Sequence, residues 1–337
     1  MHRIDNTTAA KTLPQPLAPG APGYFTNGSP LTGEAATVVE ADWMNAIQEE
    51  VSFVIETSGL VLNKNDRTQL YQALTRLTRL RLAGPADFYV SPTGSDGNPG
   101  TAALPWASLT HAYSFIRDRI DMNGFQCTVH LADGTYAGGS FQYAAVGPWV
   151  RFVGNQADPT KTVVHETQTA AIAISQDAGV FLDSITLRAD GAPGQNYSWT
   201  GYGLMIDSAV WGMSNLYFDV CSSAHICSQH NGDGGTQAMN AAYTIIGGAP
   251  FHAFANIGTV GYVGAAITIL NNPLFSVAFC GAQDNGHVDI RSAAFYGTAR
   301  GPRYRVARAG GVITGTGDPN YLPGDAQGIN DGTGFYS

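Results

Sequence analysis

The sequence predicts a mainly β protein whose largest part is a parallel β-helix, a coil of stacked strands. Glycine supplies 41 of the 337 residues and charged side chains only 13%, against about 7% glycine and about 25% charged residues in ordinary soluble domains. Apolar strand-like segments recur near Val180, Val210, Ala238, Val260 and His287, at separations of 30, 28, 22 and 27 residues. Such a period is typical of a solenoid, in which each unit buries its apolar face against its neighbours.

Residues 1–36 are predicted to be extended and largely non-helical. The stretch at 14–33 reads PQPLAPGAPGYFTNGSPLTG, in which proline removes backbone donors and glycine adds chain entropy. We therefore expect this segment to become ordered only against another part of the structure.

Two short helices follow this segment. The first helix is predicted to stop at Gly59. The residues along one of its faces have alternating spacings of three and four residues: Met44, Ile47, Val51, Val54 and Ser58. The second begins at Asp66, whose side chain is expected to cap Gln69. It continues with a stripe of the same kind: Leu70, Leu74, Leu77 and Arg81.

These two helices carry more apolar surface than a single pair can bury. They either form a small hairpin that covers itself or bundle with the helices of identical chains around an axis. We expect the bundle, and a homotrimer with threefold symmetry is our first choice.

A third helix is predicted to cap the start of the solenoid. The Gly-Pro pair at 84–85 marks a boundary, and a short strand is expected at 88–91. The capping helix then begins with Ser108 as its N-cap and ends by residue 124. A cap is needed here because an open solenoid end exposes unpaired strand edges.

The domain organisation follows from these elements. Residues 1–84 form an N-terminal region with the extended segment and two helices, and residues 85–126 contain the start of the β-helix with its capping helix. Residues 127–300 form the β-helix itself, and residues 301–337 a C-terminal cap. Some seven or eight coils, spaced about 4.7 to 4.9 Å apart, predict a rod on the order of 35 to 40 Å tall.

Charge and hydropathy exclude several classes of protein. The net charge is −9 and the chain lacks a block of Lys or Arg, so no nucleic-acid partner is expected. The chain has no run of 18 apolar residues, and its first residues lack the apolar region of a signal peptide. We therefore expect no membrane insertion, and folding in a cytoplasm. The four cysteines are expected to be small buried hydrophobes rather than disulfides: Cys127, Cys221, Cys227 and Cys280.

Residues suited to catalysis are sparse in the predicted β-helix. A glycosidase needs two carboxylates about 5 to 10 Å apart, and Asp207 with Asp219 is the first pair to test, because neighbouring coils can bring such residues together. The alternative is that both are solvated aspartates at coil corners. No acidic cluster suits the calcium ion of a lyase, and the sequence has no phosphate loop, catalytic triad or cofactor fingerprint. We expect no cofactor, and we find no convincing catalytic constellation.

A group of cysteines and histidines resembles a metal site only at first glance. Cys221, His225, Cys227 and His230 lie within ten residues, but their spacing matches no zinc motif. Strand alternation is expected to place the first three on the core side. We therefore predict no metal site.

Aromatic residues suggest a binding surface for a sugar. Tyr197, Trp199 and Tyr202 lie on a long irregular loop, and Trp211 lies on the next strand. Sugar rings stack their apolar faces on such side chains, while Asn, Gln and Asp bind the hydroxyl groups. The alternative is that these rings pack the loop onto the solenoid or fill a contact between subunits.

The N-terminal region resembles a known family. The segment MHRIDNTTA, followed by GYFTNGSPLTGEAATVVEADWMNAIQEEVSFVIETSGL, is similar to the N-terminal region of tail-fibre and tail-spike proteins of bacteriophages and prophages. The resemblance implies that this region attaches the protein to the phage tail or baseplate. The matching residues from which we expect the virion attachment are Arg3, Asp5, Phe25 and Trp43.

Two further segments resemble β-helix proteins. The segments FYVSPTGSDGNPGT, PWASLTHAYSFI and VHLADGTY resemble the start of pectin-lyase-like β-helices, which implies a right-handed coil. The ending GVITGTGDPNYLPGDAQGINDGTGFYS resembles the C-termini of phage fibre β-helices.

Together these observations predict a homotrimeric tail fibre or tail spike, part of a virion assembled in the cytoplasm of a host bacterium. Its β-helix is expected to bind a glycan or protein receptor on the bacterial surface. A depolymerase of capsule or lipopolysaccharide, acting as a glycoside hydrolase or lyase, is the first alternative. A structural adaptor that carries another receptor-binding protein is the second.

Overall fold

The computed structural model describes residues 2–192, 199–229, 242–261 and 264–337, together with the backbone of residues 236–237. The chain divides into two compact units, residues 1–80 and residues 81–337. We call them the helical unit and the solenoid unit and describe each by itself.

The helical unit contains two helices, α1 (Ala41–Thr57) and α2 (Gln69–Leu77). Helix α1 ends where the sequence predicts. Gly59 adopts a φ of +80°, and its N–H donates to the carbonyl oxygen of Glu56 at 3.0 Å. Glycine tolerates this left-handed conformation, which is why it commonly terminates helices.

Helix α2 is shorter than predicted, and the expected cap is wrong. The Asp66 carboxylate accepts a hydrogen bond from the N–H of Thr68 at 2.8 Å, because an aspartate readily closes a turn onto the residue two positions later. The side-chain amide of Gln69 donates instead to the carbonyl oxygen of Val61 at 2.7 Å. The backbone of Thr78 is already extended, so the predicted last turn does not form.

One chain does not cover the apolar stripes of its own helices. Among the described apolar side chains of the helical unit, only Ile55 and Ala73 are fully buried. Ile47 of α1 remains 42% exposed and Leu74 of α2 remains 47% exposed. The two helices of one chain therefore do not form a hairpin that buries its own apolar stripes.

Besides two short paired strands, Leu80–Arg81 and Ile120–Asp121, the solenoid unit consists of strands in four parallel ladders. The first ladder contains Ala86–Val90, Cys127–Leu131, Val150–Val153, Gly179–Asp183 and Val210–Ser214. The second contains Gly134–Tyr136, Thr162–Glu166, Thr186–Ala189, Leu216–Cys221, Ala242–Ile245, Ala266–Ile269 and Ala294–Tyr296. The third contains Gly139–Gln142, Ile172–Ser175, Tyr202–Asp207, Ala224–Gln229, Ala249–Asn256, Phe275–Gln283, Tyr304–Val306 and Ile329–Asn330. The fourth contains Thr236–Gln237, Thr259–Gly261, His287–Asp289, Gly311–Ile313 and Phe335–Tyr336.

Each turn runs through one strand of three ladders in succession. From the fifth turn onward, the fourth ladder takes the place of the first. Residues 127–306 complete about seven turns, and the predicted fold, a mainly β protein built on a parallel β-helix, is confirmed.

The sequence repeat corresponds to the first and fourth ladders. Val180 pairs with Trp211, one turn later, and Val260 pairs with Val288. The repeat position Ala238 lies outside the described residues. Parallel pairing continues past residue 300, where Val306 pairs with Asn330, into the segment for which the sequence predicts a cap.

The capping helix α3 (Leu109–Arg119) starts where the sequence predicts. The Ser108 hydroxyl oxygen accepts a hydrogen bond from the N–H of His111 at 3.2 Å, as expected of an N-cap serine. The helix ends earlier than predicted, because Ile120 is extended. Its buried face joins the core of the solenoid through four side chains: Leu109, Ala112, Tyr113 and Ile116.

All four cysteines are buried and free, which confirms that they act as small hydrophobes. Burial raises the pKa of the Cys127 thiol to about 11 and that of Cys221 to about 12. These thiols therefore stay protonated, and unreactive, at neutral pH.

The corner before the seventh turn requires glycine at position 286. A Cβ atom there would lie 2.5 Å from the carbonyl oxygen of Ala255, in an earlier turn. We expect Gly286→Ala to lower the free energy of unfolding by about 1 to 3 kcal/mol, because the clash is with backbone. Urea unfolding followed by circular dichroism measures the change. Gly97→Ala is the matched control, since its Cβ would meet nothing closer than the Ser95 hydroxyl at 3.7 Å. Equal unfolding midpoints for the two variants would contradict this account.

Candidate functional site

An apolar cluster lies on the outer side of the third ladder. Met205 is in register with Ala173 in the turn before and with Cys227 in the turn after. Because successive residues of a strand point to opposite faces, and Leu204 and Ile226 belong to the core, Met205 and Cys227 point outward. They form, with Ala170, a cluster separate from the core.

Aromatic rings cover this cluster. Trp199, Tyr202 and Phe254 pack against it, and the Phe254 ring stacks on Phe251 with a centroid distance of 4.6 Å. All four rings are partly exposed. We call this surface of Trp199, Tyr202, Phe251 and Phe254 the aromatic patch. Trp199 and Tyr202 thus pack against the solenoid, as the alternative expects, and both also remain partly exposed.

A column of polar side chains runs along the same ladder. The last residue of each strand in five consecutive turns is polar and points outward: Ser175, Asp207, Gln229, Asn256 and Gln283. We call this set the polar column. The Gln283 amide donates to the Asn256 side-chain oxygen at 3.2 Å, and the Gln229 amide donates to the Tyr202 hydroxyl at 3.3 Å. The second contact joins the polar column to the aromatic patch.

Most of this surface was not predicted from the sequence. Phe251, Phe254 and the amides of the polar column are not among the residues expected to bind a ligand. The sequence does contain a signal for the polar column. Four third-ladder strands end in Asp, Gln or Asn: YGLMID, AHICSQ, APFHAFAN and FSVAFCGAQ. Aligning the repeat on these segments reveals the column.

Two of the four aromatic residues expected to bind a sugar do not belong to the described surface. Tyr197 lies outside the described residues. Trp211 is only 1% exposed and belongs to the core, which corrects the expectation that it stacks on a ligand. Its register with Val180 places it on the inner face of the first ladder, whereas Gly212 points outward beneath Phe181.

The two candidate catalytic carboxylates do not share a ladder. Asp207 ends a strand of the third ladder and accepts a hydrogen bond from the Ser208 hydroxyl at 3.3 Å. Asp219 lies in the second ladder, where an oxygen of its carboxylate is 3.7 Å from the Arg188 guanidinium. Each thus has its own partner, and the expected pairing on one face is not present.

A charged network surrounds Asp219 on the second ladder. Asp190 lies 2.6 Å from the His165 Nε2 atom and accepts a hydrogen bond from Arg188 Nε at 2.8 Å. The hydrogen bond with His165, followed by that from Arg188, lowers the pKa of the Asp190 carboxyl. Asp190, His165 and Arg188 therefore satisfy one another, and Asp219 lies beside the same guanidinium.

The residues of the cysteine and histidine group separate in the structure. His225 lies in the core with its ring stacked on Phe218, and Cys221 also lies there. Cys227 points outward, which corrects the expectation for that residue. The alternation fails because two successive residues, His225 and Ile226, both face the interior at the corner where this strand begins.

No metal site is evident in the part of the chain that the structure describes. Within that part, no group of three His, Cys, Asp or Glu side chains is arranged to hold an ion. The fourth member of the sequence group, His230, lies outside the described residues.

His225 belongs to a buried polar chain. Its Nδ1 atom lies 3.1 Å from Nδ1 of His252, whose Nε2 atom lies 2.7 Å from the Tyr243 hydroxyl. The His225 Nε2 atom is buried without a hydrogen-bond partner among the described residues. Burial lowers the pKa of His225 to about 3 and that of His252 well below its usual range.

The residues expected to attach the protein to a virion fasten the N-terminal segment within the helical unit. Arg3 donates to Glu49 at 2.8 Å and to Glu56 at 2.9 Å. Asp5 accepts from the Lys64 ammonium at 2.7 Å. These bonds with Arg3 lower the pKa values of both glutamates.

The aromatic pair expected at the attachment site stays accessible. The rings of Phe25 and Trp43 meet edge to face at 4.9 Å, which joins the extended segment to α1. Both rings remain exposed. Arg3 and Asp5 are therefore engaged within the chain, whereas Phe25 and Trp43 present area to a partner.

The fold and this surface define a parallel β-helix protein with a separate helical unit. No protein-family model matches the chain. It is similar to the uncharacterized protein StfP of Escherichia coli (strain K12), with 43% identity over 77 residues. That match covers 23% of this chain and 35% of StfP, so the chain spans about a third of the relative's length.

Two solved structures are similar to the chain. Escherichia coli YbhC matches with a TM-score of 0.45 and 12% identity, over 91% of this chain and 85% of YbhC. Carrot pectin methylesterase matches with a TM-score of 0.31 and 12% identity, over 76% of this chain and 82% of the enzyme. Within the described residues, no helix is long and apolar enough to cross a membrane.

The buried histidine pair predicts an acid-sensitive solenoid. A histidine with a depressed folded-state pKa destabilises the fold once the pH falls below its unfolded pKa of about 6.5, since only the unfolded chain then gains the proton. We expect the urea midpoint to fall between pH 7 and pH 5, and to fall less in His225→Gln than in the wild type. His111→Gln, which alters a partly exposed histidine, is the control. An equal fall in all three proteins would show that other groups cause the acid sensitivity.

Proposed function

We propose that this protein is a tail fibre or tail spike of a bacteriophage or prophage virion, and that it binds the surface of the host bacterium. The resemblance of the N-terminal region to such proteins supports virion attachment, and the 43% identity with StfP is consistent with it. The observation that carries the binding role is the aromatic patch beside the polar column on one ladder of the β-helix.

This surface suits a glycan. Partly exposed aromatic rings offer apolar faces to sugar rings, and the amides of the polar column offer donors and acceptors for hydroxyl groups. The ladder holds the polar column and the rings of Tyr202, Phe251 and Phe254 on a rigid scaffold, which limits the entropy lost on binding. A protein receptor with exposed sugars or polar loops is recognised by the same groups.

Adhesion fits the surface better than cleavage. Asp207 is flanked in its column by Ser175 and Gln229, so the described part of the column supplies one carboxylate rather than the pair that glycoside hydrolysis needs. Among the described residues, the surface therefore offers groups that hold a sugar chain, and it lacks the second carboxylate that cleavage requires.

Three chains are proposed to assemble through the helical unit. The stripes on α1 and α2 have the spacings of a coiled-coil seam, and one chain leaves them exposed. Bundling around a threefold axis buries these stripes and presents three copies of the receptor surface. Multivalency then raises the overall affinity above that of a single site.

Binding to host cells tests the receptor surface. We expect Trp199→Ala to weaken binding of the labelled protein to host bacteria by about tenfold, because a stacked aromatic ring contributes on the order of 1 kcal/mol beyond its buried area. The control is Tyr296→Ala, which removes an exposed ring from the second ladder. Equal binding by both variants would contradict the assignment of this surface.

The two alternative functions give different results in companion assays. Release of new reducing ends or unsaturated sugars from host polysaccharide, lost in Asp207→Asn, would identify a depolymerase. Normal adsorption of virions in which residues 1–84 replace the whole protein would identify an adaptor instead.

Light scattering tests the assembly. We expect a mass three times the 35.5 kDa of the chain, and a shift to the monomer mass in Ile47→Asp, which places a charge in the seam. Phe53→Asp is the control, because Phe53 is exposed on the opposite side of α1. A monomer mass for the wild-type protein would overturn the trimer.

A further inference from the structure

A cleft lies where the second and third ladders meet at the seventh turn. Its volume is about 530 Å³. The residues that define it come from three segments: Asn272, Phe295, Arg300, Arg303, Tyr321 and Asp325. It is separate from the aromatic patch, none of whose residues lines it.

The two arginines of the cleft are not ion-paired. Arg300 donates from Nε to the carbonyl oxygen of Asn272 at 3.2 Å, and Arg303 donates from Nη1 to the carbonyl oxygen of Ala326 at 3.0 Å. Neither guanidinium lies within 4.0 Å of a carboxylate among the described residues. Most other arginines of the solenoid unit are paired with aspartates: Arg151 with Asp183, Arg188 with Asp190, Arg291 with Asp289 and Arg308 with Asp284.

These guanidiniums retain unused donors. Each carries five N–H groups in a planar fork, and each has one hydrogen bond within the described structure. The Arg303 Nε atom is buried with no hydrogen-bond partner in the described part of the chain. Arg303 is partly exposed and Arg300 is exposed, so an anion entering the cleft would supply the counter-charge and the acceptors that these donors lack.

The cleft carries a net positive charge in an acidic protein. Its single carboxylate among the lining residues, Asp325, accepts a hydrogen bond from the N–H of Gly301 at 2.7 Å. The lining therefore contains two guanidiniums and one carboxylate, whereas the whole chain has a net charge of −9. Arginine forks bind carboxylates and phosphates with paired hydrogen bonds.

One wall of the cleft is aromatic. The rings of Phe295 and Tyr321 meet edge to face at 5.6 Å. The Tyr321 hydroxyl donates to the carbonyl oxygen of Ala293 at 2.7 Å, which fixes the ring. An apolar ring beside arginine forks matches a sugar that carries an acidic substituent.

We infer that this cleft is a subsite for an anionic group, the carboxylate of an acidic sugar or a phosphate, held by Arg300 and Arg303. The inference rests on the proposed function, because it takes the anion to belong to a host surface glycan. The net charge of −9 repels an anionic polymer at long range. The cleft supplies the short-range contact that overcomes this repulsion.

Calorimetry with defined probes tests the subsite. Hyaluronan tetrasaccharide carries sugar carboxylates, chitotetraose is a neutral tetrasaccharide, and inorganic phosphate supplies the other anion. We expect binding of hyaluronan tetrasaccharide or of phosphate, with chitotetraose at least tenfold weaker. Whichever anion binds identifies the chemistry that the cleft accepts. Removing both forks in the double variant Arg300→Gln, Arg303→Gln should weaken that binding by tenfold or more, since hydrogen bonds to charged groups are the strong ones.

Arg305→Gln is the matched control. Arg305 lies two residues after Arg303 and is exposed, as Arg300 is, but it does not line the cleft. Arg300 is exposed, so Arg300→Gln alone supplies the test if the double variant fails to fold. Binding of chitotetraose equal to that of the anions, no binding of either anion, or equal losses in Arg305→Gln would overturn the inference.

Cell binding separates this inference from the proposed function. If the wild-type protein binds host cells and the double variant binds equally well, the anionic subsite is wrong while adhesion stands. If the wild-type protein does not bind host cells at all, adhesion is wrong, and calorimetry still decides whether the cleft takes an anion.

Discussion

The in-register stacking of one turn on the next is the constraint on which the solenoid depends. A parallel ladder gives each residue a neighbour in the turn before and another in the turn after, about 4.8 Å away. A side chain must therefore suit its whole column. Met205 is compatible with Ala173 and Cys227 above and below it, and Gly281 leaves room for the rings of Phe251 and Phe254. The low charge and high glycine content of the chain follow from this requirement.

Stacking also explains which parts of the fold the sequence could predict. The sequence repeat includes Val180, Val210, Val260 and His287 because each of them lies in the strand that begins its turn. The Ser108 cap was predictable because it is local, a side chain bonding to backbone three residues later. Whether a side chain points inward or outward was harder to predict. Alternation fails in the first residues of the strand Ala224–Gln229, where His225 and Ile226 both face the interior, and for this reason Cys227 was assigned to the wrong side.

The candidate site was harder to predict than the fold for the same reason. Asp207, Gln229, Asn256 and Gln283 are separated by 22, 27 and 27 residues, because the connections between strands differ in length. Only the ladder register shows that they form one column. Trp199 and Tyr202 were found by residue type and loop composition. Residue type alone does not distinguish them from Trp211, which the register places in the core.

The two units treat apolar surface in opposite ways. The solenoid unit buries most of its large apolar side chains in one core cluster and a smaller outer one, so the proposed binding surfaces consist of rings and arginines that stay at least partly exposed. The helical unit buries little more than Ile55 and Ala73 and leaves its stripes exposed. A stripe with coiled-coil spacing is stable in water only when a partner covers it. The proposed function thus divides assembly and recognition between the two units. In that proposal, the contacts of an acidic solenoid with an anionic cell surface are short-ranged, and multivalency combines their strengths.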